Sequence, residues 1–465
     1  MELDLVIRNG RIVTAADDFH GDIGIRGGRI AVLGQALPRG HREIDAEGRL
    51  VTPGGVDAHC HIDEPPYLNA RLADDFRSAS RSAACGGTTT FVPFINQLKG
   101  ETLAAARDDY MRRAAPSLID YGFHMILKAD EPERIRTELP ALLEAGLRSV
   151  KVFMTYDGYM MDDAQIMEIM EMVRAVDGIV MVHAENGHCA HHAVSKLHAQ
   201  GRDGLSYFPE TSPQAIEREA VHRAITLAEL TDTRVMIVHV SGDEAMEQIR
   251  WSRARGHRTL AETCPQYLLD LEPHLHSDEW ETAKYICSPP VRESARAGDL
   301  WRGLVQGDLD LVSSDHCPYR FEGDDGKKAF GEARLGQVPP GLPGLETRLP
   351  LLYQEGVATG RLTPQRFVEL TATRPAQLYG LYPRKGSLMP GADADVVIWE
   401  TGAPRPIRHA DLHDACDYTP YEGHGVTAWP ACTLSRGEVI WDAATGHVSD
   451  AHGRGQFIPG RRGEP

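Results

Sequence analysis

The run V-D-A-H-C-H-I-D, Val56 to Asp63, sets His59 and His61 one residue apart behind a short apolar stretch. In an extended strand, residues i and i+2 face the same way, so the two imidazoles can grip one cation. A pair of ordinary strand-end histidines fits the same short pattern. Recurrence shifts the balance. Four more apolar runs are interrupted by groups able to bind metal or move protons: Lys151 in S-V-K-V-F-M, His183 in V-H-A-E-N-G, His239 in I-V-H-V-S-G and Asp315 in V-S-S-D-H-C-P. Any one of them could be a satisfied core group. Five strand ends of this kind are harder to explain that way, because buried charges and imidazoles are costly unless paired or bound to metal. Lys151 is the odd member, since an ammonium of ordinary pKa about 10.4 repels a cation. Burial lowers that pKa and frees the amine. A free amine adds carbon dioxide to become a carbamate, an anion with two oxygens that can bridge two metals.

Such residues need a scaffold that gathers strand ends in one place. Apolar, strand-like runs recur at 56–62, 88–94, 121–127, 149–154, 179–185, 234–240, 258–262 and 309–316, with helical patterns between them, as at 164–176 and 213–230. Eight strands alternating with helices predict an α/β fold, a (β/α)8 TIM barrel, with its chemistry at the C-terminal ends of the strands. A doubly wound open sheet competes, but no Gly-rich phosphate fingerprint follows the first strand. Toward the N-terminus, short strands are punctuated by Asn9-Gly10 and Gly27-Gly28, which read as hairpin turns. Strand-like runs return at 394–399 and 438–441. The expected organisation is therefore a β-sandwich formed by residues 1–53 and 385–450, a barrel at 54–384, and a tail or oligomer contact at 451–465.

The net charge of −18 gives no electrostatic footing for nucleic acid or an anionic membrane surface. The acidic start is unlike a signal peptide, and no apolar run is long enough to span a bilayer. Eight scattered cysteines without a C-x-x-C pair read as reduced thiols, which predicts a cytoplasmic protein.

The chain resembles the dihydropyrimidinase and hydantoinase group of cyclic amidohydrolases. The resemblance rests on P-G-G-V-D-A-H-C-H-I-D at 53–63, A-D-D-F at 73–76, A-A-C-G-G-T-T at 83–89, K-V-F-M-T-Y at 151–156, H-A-E-N-G at 183–187, C-S-P-P-V-R at 287–292, S-S-D-H-C-P-Y at 313–319 and K-G-S-L-M-P-G-A-D-A-D at 385–395. These stand in order along nearly the whole chain. The resemblance implies two divalent metal ions, usually zinc. His59, His61 and Asp315 would hold one, His183 and His239 the other. N6-carboxylysine at Lys151 and a hydroxide would bridge them. It further implies that this hydroxide opens the cyclic amide of a dihydropyrimidine or 5-substituted hydantoin to give an N-carbamoyl amino acid. Asp315 would carry the proton to the leaving nitrogen, Tyr156 would donate to the oxyanion, and Ser288 and Pro340 would hold the ring. Homotetramers and homodimers are usual in the group.

Departures from the pattern concern the substrate. Glu64 stands where the group usually has Met, Asp157 where it has Lys, and Pro340 where it has Asn. The two added acids predict a substituent more polar or cationic than alkyl or phenyl. Allantoin and dihydroorotate are weaker candidates, because the arginine of H-x-H-x-R-E-P is Asp63 here. Another cyclic imide stays open. A non-catalytic scaffold relative would have lost metal ligands that this chain retains, and a mononuclear deaminase would not need Lys151 in this context.

Overall fold

The computed structural model describes residues 2–277 and 279–461. Its centre is a barrel of parallel strands in the order Gly55–Cys60, Thr88–Ile95, His124–Ile126, Ser149–Phe153, Ile179–His183, Arg234–Ile237, Thr259–Thr263 and Leu311–Val312. A parallel bridge between Cys60 and His316 joins the last strand's exit to the first strand. Val, Ile, Leu and Met dominate the strands because helices cover them outside and side chains fill them inside. The covering helices begin where the sequence offers caps. Asp75 and Ser78 form a capping box before Phe76–Cys85, and Asp162 and Gln165 form another before Asp163–Arg174.

The two chain ends build one predominantly antiparallel sheet, the β-sandwich domain. Leu50–Pro53 from the N-terminal part lies between Leu5–Val13 and Val396–Pro406 from the C-terminal part, so the ends are interleaved. Leu5, Ile7, Ile23, Val51, Val396 and Ile398 pack together as its core. Gly27-Gly28 turns a hairpin as expected, with φ of 57° and 73°. Asn9-Gly10 does not. Leu5–Val13 is one strand, and the register shift between Ile7 and Gly10 marks a bulge. Asn9 takes the left-handed φ of 55° there, while its amide donates to Asp22 (3.0 Å) and its side chain to Asp45 (3.0 Å). Those bonds satisfy the bulge without reversing the chain.

Barrel and sheet are bolted together by buried charges. The Lys385 ammonium reaches Asp120 (2.5 Å), Asp393 (3.0 Å) and Asp395 (2.8 Å), and Arg436 pairs with Asp120 from the other side. Beside Asp120, the tail lies against the barrel's underside: the Tyr121 amide donates to the Gln456 carbonyl (3.0 Å) and the Ile458 amide to the Tyr121 carbonyl (2.7 Å). Residues 462–465 of the expected tail lie outside the described residues. No helix among the described residues is long and apolar enough to cross a membrane.

Candidate active site

At the C-terminal mouth of the barrel a cavity of about 830 Å³, counting its open entrance, is lined by all the expected metal-binding, catalytic and ring-binding residues: His59, His61, Lys151, Tyr156, His183, His239, Ser288, Asp315 and Pro340. His59 lies within the first strand and His61 follows it. Backbone bonds tie this pair to the opposite wall: the Asp315 amide donates to the His59 carbonyl (3.0 Å), and the His61 amide to the His316 carbonyl (2.7 Å). Asp315 Oδ1 consequently lies 3.2 Å from His59 Nε2 and 3.5 Å from His61 Nε2. Across the cavity His239 Nε2 faces His183 Nδ1 at 2.9 Å. Donors around a tetrahedral zinc ion, at 2.0–2.1 Å from it, lie about 3.3 Å apart. His59, His61 and Asp315 form a grouping of that size able to hold a metal, and the His183–His239 contact sets two further imidazole nitrogens beside it, so the residues present suit divalent metal.

The expected strands run past the regular ones. The eighth is regular only at Leu311–Val312, and the sixth ends at Ile237. Beyond them Asp315 and His239 adopt left-handed φ values of 49° and 39°, and Tyr156 does so after the fourth strand at 71°. Such conformations are uncommon outside glycine and cluster at functional sites. Here they release the backbone from the sheet where a side chain must turn inward.

Lys151 is fully buried, with Nζ 3.4 Å from His59 Nε2 and 5.0 and 5.3 Å from the centres of the Phe94 and Phe153 rings. No carboxylate among the described residues lies within ion-pairing distance of it. Burial pulls the amine down to about 8, against the opposing pull of Asp315 and Glu262. Burial alone would push Asp315 up, but His59, His61 and His239 outweigh it and hold that carboxyl well below its usual range. The Tyr156 phenol is pushed up by burial and stays protonated, with Ser288 as a hydrogen-bonding neighbour.

Several partners were not foreseen. Glu262 bonds to His59 Nδ1, Glu64 to His61 Nδ1 (2.5 Å) and Glu185 to His183 Nε2 (2.7 Å). Each carboxylate claims one ring nitrogen and leaves the other facing the cavity. Glu262 carried a visible signal, an acid inside the apolar run T-L-A-E-T, which is costly without a partner. The expected acidic mouth is only half present. Asp157 is absent from the lining and its side chain is 95% exposed. Most of the remaining wall is apolar or aromatic, with Pro65, Tyr67, Leu72, Phe153, Tyr159 and Tyr319, beside the polar Asn96. Among the described residues Cys85, Glu346 and His413 form another grouping able to hold a metal, away from this cavity.

A barrel whose mouth gathers four imidazoles, two carboxylates and a buried lysine of lowered pKa defines a metal-site hydrolase architecture. The amidohydrolase family model matches residues 50–440. The chain is 40% identical to a D-hydantoinase of Ralstonia pickettii over 464 residues, covering 99% of each. A solved D-hydantoinase structure superposes with a TM-score of 0.95 at 40% identity, covering 100% of both chains. A dihydropyrimidinase from Brevibacillus agri NCHU1002 gives 0.93 at 35% identity, covering 99% of both. The chain belongs to the amidohydrolase family, within its hydantoinase and dihydropyrimidinase group of cyclic amidohydrolases.

Proposed function

We propose that this enzyme opens 5-substituted hydantoins and dihydropyrimidines to N-carbamoyl amino acids. The observation that carries the proposal is Lys151, a buried amine held among metal-binding side chains without an acidic partner in ion-pairing distance among the described residues. As its carbamate it would join two ions, one held by His59, His61 and Asp315, the other by His183 and His239. Zinc suits this mixed nitrogen and oxygen donor set. When bound, such ions lower the pKa of water toward neutrality and polarise the scissile carbonyl.

The protein groups divide the remaining work. Asp315, held ionised, accepts the proton of the attacking water and returns it to the leaving ring nitrogen. Tyr156, held protonated, donates to the oxyanion as charge builds there. Ser288 binds the ring amide, and the Pro340 carbonyl, lacking an N–H beside it, accepts from the ring. The Gly341 position supports this wall: a Cβ there would lie 2.6 Å from the Cys317 carbonyl oxygen, so a side chain would displace the loop. The apolar and aromatic wall favours an aryl or alkyl 5-substituent, and the outward turn of Asp157 removes half the reason for a cationic one. The acidic charge and the free cysteines support a cytoplasmic setting, and the group resemblance supports a homodimer or homotetramer.

The test is ring-opening on a metal-quantified preparation, with hydantoin, dihydrouracil, 5-alkyl, 5-aryl and 5-aminoalkyl hydantoins, allantoin and a simple imide. Turnover of the 5-aryl and 5-alkyl compounds with about two metals per chain, unchanged in ranking by Asp157→Lys, is expected. Preference for the aminoalkyl compound overturns the substituent assignment. Absence of metal and turnover after zinc and bicarbonate are supplied overturns the function.

A further inference from the structure

We infer that Glu64 is a positioning residue that strengthens zinc binding at the His59, His61 and Asp315 site; this rests on the binuclear reading above. Position 64 is where the chain departs from the methionine usual in its group, so the group's shared machinery does not account for it. A methionine could line the cavity but could not accept a hydrogen bond of comparable strength. Glu64 accepts one on each oxygen. Oε1 lies 2.5 Å from His61 Nδ1, and Oε2 receives the Asn96 amide at 2.9 Å. Asn96 is itself held by the Tyr159 hydroxyl, 3.1 Å from its Nδ2. The side chain is only 9% exposed, so water competes little for those oxygens.

The backbone delivers Glu64 to this place. Asp63 takes a left-handed φ of 52°, and its turn is anchored by its own amide on the Asp74 carbonyl (3.2 Å) and by Arg113 on its carbonyl (2.8 Å). The turn swings the chain back so that residue 64 reaches the ring three positions earlier.

Two consequences follow from this geometry. The carboxylate fixes the proton on His61 Nδ1, so Nε2, the nitrogen 3.5 Å from Asp315, is the one presented to the ion. It also adds a negative charge next to that ion, beside those of Asp315 and of Glu262 behind His59. Among the described residues the His183 and His239 pair has one such carboxylate, Glu185, and the buried His239 Nδ1 has no hydrogen-bond partner. The charge that Glu64 contributes is therefore concentrated on one ion of the two. With both oxygens engaged, Glu64 is a support for the metal site and not a receptor for a cationic substituent.

The experiment compares wild type, E64Q and E64M, each stripped and reloaded with zinc, by chelator competition at fixed pH. Imidazole nitrogen NMR reports the His61 tautomer, and circular dichroism checks the fold. One of the two zinc ions is expected to bind about 10–100-fold more weakly in the variants, with the other unchanged. E64Q, which keeps an acceptor for Nδ1, should retain the tautomer and lose less than E64M. Folded variants that hold both ions as tightly as wild type overturn the inference and leave the binuclear reading standing. A wild-type chain that takes up no zinc overturns both.

Discussion

Lys151 and Lys385 are both fully buried, and their surroundings are opposite. Lys385, where the barrel meets the sheet domain, touches three carboxylates, and they raise its pKa against the pull of burial. Lys151, at the barrel mouth, sits among aromatic rings and imidazoles and is lowered to about 8. Burial of an ammonium is tolerated in two ways: pairing holds the proton more tightly and makes the residue structural, and isolation loosens the proton and makes the amine more available for chemistry. On the proposed function the same residue type serves as bolt and as reagent, and its neighbours decide which.

Substitution at each lysine tests that contrast. Lys151→Met should cost at least about 10⁴-fold in turnover, roughly 5.5 kcal/mol at 1.36 per decade, while the fold survives, because no ion pair is broken. Metal content and a thermal melt check this together; a variant that unfolds would show Lys151 to be structural after all. Lys385→Met should do the reverse. It leaves Asp120, Asp393 and Asp395 facing one another without that cation, costing about 3–5 kcal/mol of stability, with turnover per folded molecule retained. Denaturant unfolding measures it, and a loss below about 1 kcal/mol would dissolve the comparison.

The smallest expected effect sharpens the isolation side. His124 is buried with Nε2 2.9 Å from the Ala58 carbonyl and Nδ1 2.5 Å from the Ser149 hydroxyl, and burial lowers it to about 3. The unfolded chain protonates this histidine near its ordinary 6.5, before the folded chain does. Its contribution to stability is therefore complete above pH 6.5 and is lost as pH falls toward 3, by at most about 1.4 kcal/mol per pH unit. Unfolding measured from pH 7 to 4 should show a shallower slope in His124→Gln than in wild type. Equal slopes would mean that His124 gains a proton in the folded state as readily as in the unfolded one.

Much of the site was legible before the fold was known, for a physical reason. A polar residue inside an apolar run is expensive, so His59, Lys151, His183, His239 and Asp315 each announced either a compensating partner or, for Lys151, a shifted proton equilibrium. The partners were less visible. Glu64 and Glu185 stand among ordinary polar residues, and nothing local distinguishes them from solvated acids such as Asp157. Asn9-Gly10 shows the same limit: a bulge and a hairpin use the same residues, and only Asp22 and Asp45, brought from elsewhere in the chain, select the bulge.

By itself, then, the sequence determined the alternation of strands and helices, the order of the metal-binding residue types and the strand ends that carry them, because periodicity and the cost of burying polar groups act locally. Tertiary structure alone decided which nitrogen each histidine presents, which lysine is paired and which isolated, and that Glu64 faces a histidine while Asp157 faces solvent. Those outcomes depend on distances of a few ångströms between segments far apart in the chain, and hydrogen bonds and charges respond to such distances steeply.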